Sequence, residues 1–99
     1  MNFSPKRAAE IETFAVDFAN SLQDGVTILS AVWTITTTHG TDKTSAMIIG
    51  DAQIVGSQVS QLIGNGVPGL TYIPICTAET SDGQTLILPD PGYGLLPVV

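Results

Sequence analysis

The sequence predicts an all-β fold, an antiparallel β-sandwich of about seven strands, and three observations carry that prediction. Residues Gly69 to Gly83 read as a turn, a long extended run with a tyrosine at its base, and a tight reversal at Ser81-Asp82-Gly83, followed at once by the partner run Gln84 to Leu88. Asp and Gly tolerate the positive φ of hairpin turns, so this segment is written as a hairpin. Second, two further runs alternate with period two, Thr13 to Phe18 and Val26 to Thr36, as half-buried strands do. Third, helical periodicity is nearly missing, while Gly- and Asp-containing turn signals recur at short spacing.

Taken in order, Met1–Glu10 reads as an arm, with Ser4-Pro5 suited to start a short helical turn through Ala8 to Ile11. In the first strand Phe14, Val16 and Phe18 face one way. Gln23-Asp24-Gly25 is a turn, and the run after it is the strongest strand in the chain. Its Leu29, Ala31, Trp33 and Ile35 form one face, and Ile28, Ser30, Val32 and Thr34 the other. Thr37 to Thr44 is a polar loop around His39-Gly40. Ala46 to Ile49 is a short apolar run that ends in a Gly50-Asp51 turn, and Gln53 to Ile63 holds two strands broken at Gly56. In the hairpin, Tyr72 shares a face with Pro74, Cys76 and Ala78. Pro89 to Gly94 is an irregular bend before the terminal Leu95 to Val99. The chain divides into an arm (1–10), a sandwich (11–88) and a C-terminal extension (89–99), in the manner of immunoglobulin- or fibronectin-III-like domains. With a single Cys76 it is not a disulfide-bridged immunoglobulin domain.

Charge is scarce. Asp, Glu, Lys and Arg make up 12% of residues, about half the ~25% of ordinary soluble domains. So uncharged a surface is weakly protected against association, which points to burial against other subunits. The net charge of −6, with only Lys6, Arg7 and Lys43 as cations, speaks against nucleic acid, which demands clustered basic residues. No run approaches the ~20 apolar residues of a membrane helix, and Lys6-Arg7-Ala8-Ala9 leads into Glu10 and Glu12 rather than a signal-peptide core. These features predict synthesis in the cytoplasm, with no membrane partner.

Chemistry is thin. Gly64-Asn65-Gly66-Val67-Pro68-Gly69 has the spacing of a dinucleotide fingerprint, but that motif works only where a helix starts at the glycines, and here a strand follows. Cys76 falls mid-strand on the core face with no basic neighbour to activate it. His39 has no cysteine partners for zinc, and the carboxylates are scattered over turns. The reading is a non-enzymatic protein with no cofactor and no metal. Trp33 and Tyr72 are read as core residues, with the Tyr72 hydroxyl reaching back to the Val67 to Leu70 turn. Asp82 and Gly83 are the structural turn pair. Ile73 and Ile75, with Ile28 and Val32, make faces too apolar for water and are interface candidates, joined by Lys6 and Arg7 of the arm. Deleting Met1 to Arg7 is therefore expected to spare the fold and prevent assembly.

The segment Leu22, Asp24-Gly25-Val26-Thr27-Ile28, Ser30, Trp33-Thr34-Ile35, continuing through Ile63-Gly64-Asn65-Gly66, Gly69-Leu70-Thr71-Tyr72 and Thr80-Ser81-Asp82-Gly83, is similar to small tailed-bacteriophage structural proteins, the fibre–tail adaptors. The resemblance covers Pro5 to Leu88, and the chain departs from it at Pro74, Cys76 and the Pro89 to Gly94 bend. It implies a virion component that joins tail to fibres or neighbouring rings, without catalysis or cofactor. Its partners would be other phage tail, connector or fibre proteins and further copies of itself. The alternatives are a capsid decoration protein or fibre domain, and, in a different class, a carbohydrate- or protein-binding module of a secreted bacterial protein.

Overall fold

A computed structural model describes residues 5–88 and 94–99. The strands are β1 (Glu12–Asp17), β2 (Ile28–Thr37), β3 (Ile48–Val55), β4 (Gln58–Ile63), β5 (Thr71–Thr80), β6 (Thr85–Leu88) and β7 (Leu96–Pro97), with one four-residue helix, α1 (Thr44–Met47). They form two antiparallel sheets, ordered β1-β4-β3 and β2-β5-β6, with β7 also on β5.

Alternation dictates which side chains turn inward. Phe14 and Val16 of β1 and Val59 and Ile63 of β4 meet Trp33 and Ile35 of β2 and Tyr72, Cys76 and Ala78 of β5 in one buried cluster. Met47, Leu96 and Val98 complete it. Trp33, 2% exposed, is among its largest side chains.

The β5–β6 hairpin forms where the sequence places it. Gly83 has φ +85°. The Thr80 N–H donates to the Gln84 carbonyl at 2.9 Å and the Gly83 N–H to the Thr80 carbonyl at 3.1 Å. The Thr80 hydroxyl donates to the Asp82 carboxylate and accepts the Gln84 N–H at 3.0 Å, so the turn is closed by side chains as well as backbone.

Four local expectations need correction. In β2 the pairing shifts between Ile28↔Thr80 and Ser30↔Glu79. One extra residue there reverses the alternation, so Ile28 is buried and Leu29 is 66% exposed. Gly50-Asp51 does not end a strand. β3 runs through it with a distortion, pairing Ile49 with Leu62 and then Gln53 with Ser60, and Gly50 takes φ +70°. The buried Gln61 amide fills the break, donating to the Ile49 and Gly50 carbonyls at 2.8 and 3.1 Å. Ala46–Met47 belong to α1 rather than to an extended run, because the Met47 N–H returns to the Lys43 carbonyl at 3.1 Å. The arm holds a reverse turn rather than a helical one: Glu10 N–H donates to Arg7 O at 3.0 Å, and the Glu10 carboxylate accepts the Arg7 N–H at 2.9 Å. The Ser4 start of that turn, and Pro89 to Tyr93 of the bend, lie outside the described residues.

Proline in a central strand removes a ladder donor, yet Pro74 sits in the middle of β5. Its partner on β2 is Ile35, whose C=O and N–H are taken on the opposite edge by Lys43 N–H at 2.8 Å and the Thr44 hydroxyl at 3.1 Å. The Ile35–Pro74 pair therefore exchanges no hydrogen bonds, and the missing N–H of Pro74 faces away from β2. On that side Leu88 pairs with Cys76 and Leu96 with Tyr72. Eight steps along one chain answer four along the other, so the last strand is split into β6 and β7 at Pro74. Pro74, one of the positions at which the sequence departs from the adaptor resemblance, thus falls between the two pairings.

Candidate functional site: an uncharged outer sheet face and a closed end

The outer face of the β2-β5-β6 sheet is built by the residues that alternate away from the core. Register sets Val32 beside Thr77 and Thr77 beside Ile87, with Thr34 beside Ile75 and Thr36 beside Ile73. Val32 is 62% and Ile87 53% exposed, while Ile73 and Ile75 are half-buried among their neighbours. Glu79, paired with Ser30 and Thr85 near one end, is the carboxylate this face carries. Away from Glu79, aliphatic and threonine side chains over two ten-residue strands offer dispersion contact. Chemically, such a face suits docking.

Alternation in the sequence points to Val32, Ile73 and Ile75 as outward-facing, and not to Ile87, whose placement depends on the β5–β6 register. Two of the interface candidates, Ile28 and Lys6, are buried within the chain: the bulge turns Ile28 inward, and the arm pairs with the tail at Lys6. Arg7 is exposed.

Lys6 of the arm and Pro97 to Val99 of the tail pair with one another. The Lys6 N–H donates to Pro97 O at 2.9 Å and Val99 N–H to Lys6 O at 2.8 Å, a parallel bridge to Val98. The Lys6 ammonium donates to the carbonyls of Arg7 (2.7 Å), Ala8 (3.3 Å) and Asn65 (2.7 Å). Burial pulls its pKa down, while Glu10 and Glu12 pull it back. Nearby, the Tyr72 hydroxyl accepts the Val67 N–H at 2.9 Å, the turn to which the sequence directs it.

Trp33 and Tyr72 are both buried, so neither offers the exposed aromatic platform that a carbohydrate-module reading needs. Burial pushes the Cys76 thiol up to about 12, which leaves no thiolate to act as a nucleophile. A shallow cleft of about 390 Å³ lies over the β3 distortion, lined by Thr13, Asp51, Gln53, Ser60, Gln61 and Leu62 among others. Its amide Gln61 is committed to backbone carbonyls. Among the described residues no group of three His, Cys, Asp or Glu side chains is placed to hold a metal, and no helix is long and apolar enough to cross a membrane.

No curated protein and no solved structure matches the chain. The family described as podophage GP4 fiber-tail adaptor protein gp77 matches residues 6–87. That span takes in both sheets, from the buried lysine to the exposed Ile87, and the chain belongs to this phage fibre–tail adaptor family.

Proposed function

We propose that this protein is a non-enzymatic structural component of a phage tail. It is made in the host cytoplasm, carried in the virion, and holds tail and fibre proteins together while contacting further copies of itself. The family match over residues 6–87 carries the reading. The uncharged outer face of β2-β5-β6 supports it, because docking of one protein on another is the use that aliphatic residues exposed as Val32 and Ile87 fit best. We also read the two sheets as an immunoglobulin- or fibronectin-III-like sandwich. The orders β1-β4-β3 and β2-β5-β6 support that reading, since they correspond to the B-E-D and C-F-G groupings of such domains. Arg7, exposed on the arm, is a second docking candidate.

Quantitative mass spectrometry of purified, nuclease-treated particles tests the proposal. The chain should be present in a fixed ratio to the tail proteins, and it should stay with tails when heads are removed. Its absence from particles, or its partition with heads, would overturn the tail assignment.

A further inference from the structure

An ammonium taken out of water is destabilising unless its surroundings compensate, yet Lys6 is 0% exposed. Its compensation is unusual in kind: three backbone carbonyls, two from the arm itself and one, Asn65, from the β4–β5 loop. The same residue's backbone is joined on both sides of Val98 to the tail. One residue thus touches arm, tail and loop at once.

We propose that Lys6 is a latch that couples the two ends of the chain, so that arm and tail open and close together as a unit distinct from the two-sheet core. The inference goes beyond the docking face and stands on separate residues. The tail is held to the loop by Val98 N–H to Leu70 O at 2.9 Å and Gly69 N–H to Val98 O at 2.8 Å. The loop is held to α1 by the Asn65 side-chain amide, which donates to Ala46 O at 2.9 Å. Gly66 completes the contact: at its φ of +102°, a Cβ would stand 2.9 Å from Val98 Cγ2. Lys6 closes this circuit from the arm side through Asn65 O. The bonds to Pro97 and Val99 are made by the Lys6 backbone, so a substitution of the side chain keeps them and removes only the ammonium's hold on Arg7, Ala8 and Asn65. Without the tail the Lys6 backbone loses its partners. The β2–β5 ladder, by contrast, runs from Ile28↔Thr80 to Thr37↔Tyr72 and draws none of its pairs from either end.

The latch also revises the expectation for the arm deletion. Removing Met1 to Arg7 takes Lys6 away, so that variant perturbs the tail as well as any docking by the arm.

Native-state hydrogen exchange on the full chain is the test. In the wild type the amides of Lys6, Gly69, Val98 and Val99 should exchange through one common opening, faster than the Thr34 and Ile75 amides of the β2–β5 ladder. Lys6→Met keeps the aliphatic stem but leaves the carbonyls without their donor. It should speed exchange at Gly69, Val98 and Val99 by roughly tenfold or more while Thr34 and Ile75 hold their rates. Reciprocally, Val98→Ala should speed exchange at Lys6. Different opening rates for arm and tail in the wild type would overturn the latch, and so would a tail unmoved by Lys6→Met, or a uniform rise across the core. If Lys6→Met does not fold, the wild-type rates and Val98→Ala decide alone.

Discussion

The two ends of β5 are held by different physics. At the Thr80 end the chain turns back within a few residues, through Asp82 and Gly83, and the strand that follows is its immediate neighbour. At the Thr71 end the partners come from far along the chain: Leu96 of the tail, and through Val98 the Lys6 of the arm. Local turn chemistry writes the first end. Long-range closure writes the second, and it must offset the loss of chain entropy in both the arm and the tail. The comparison teaches where each kind of substitution should register.

The largest effect is expected where both ends share a core. Trp33→Ala should cost about 3–5 kcal/mol, because the ring is almost fully buried between the sheets. That approaches the whole stability of a domain this size. Little folded protein should be recovered, as judged by urea titration of whatever remains soluble. A variant with wild-type stability would mean that the sheets do not close on Trp33.

A matched pair of glycines comes next. Gly83→Ala meets nothing within 4 Å and suffers only from φ +85°. Gly66→Ala suffers from φ +102° and from Val98 Cγ2 at 2.9 Å and Met47 Cε at 3.2 Å. Strain of this kind costs about 1–2 kcal/mol, and the crowding at Gly66 adds to it. Denaturant midpoints should therefore fall further for Gly66→Ala. Only that variant should also disturb the nuclear magnetic resonance shifts of Val98 and Val99. Equal losses would erase the distinction between a free turn and a packed one.

The smallest effect is on pH. The Ser57 hydroxyl, donating at 2.6 Å, and then the Ala19 N–H, at 2.9 Å, hold the Asp17 carboxyl below its ordinary 3.8. A carboxylate with a depressed folded pKa adds stability above its unfolded pKa and loses it as pH falls through the folded value. Asp42, held down by the Thr44 hydroxyl and N–H, behaves alike. Between about pH 5 and pH 2 the wild type should lose more stability than Ser57→Ala. Parallel pH curves would remove Asp17 from the account.

What was legible in the sequence follows the same division. The Asp24-Gly25 and Asp82-Gly83 turns, the break at Gly56, and the alternation of Phe14, Val16 and Phe18 were legible because each is set by residues adjacent in the chain. The bulge that reverses Ile28 and Leu29, the break filled by Gln61, and the burial of Lys6 were not. Each is decided by a partner strand or a distant terminus that local pattern does not contain. Pro74 stands out in the sequence, but what accommodates it is decided by the distant pairings at Leu88 and Leu96. The outer face was half legible: alternation in β2 and β5 pointed to Val32, Ile73 and Ile75, whereas Ile87 needed the register. That register also sharpens the choice of test. Ile73 and Ile75 are half-buried, so aspartates there would disturb the sheet itself, while Val32 and Ile87 stand clear of it.

The docking face is therefore tested most directly by the double variant Val32→Asp with Ile87→Asp, scored for incorporation into particles by complementation of a phage lacking the wild-type gene. The account predicts a protein that melts at the wild-type temperature and is missing from purified particles. Normal incorporation of that folded variant would contradict the assignment of the β2-β5-β6 face as the surface through which this adaptor joins the tail.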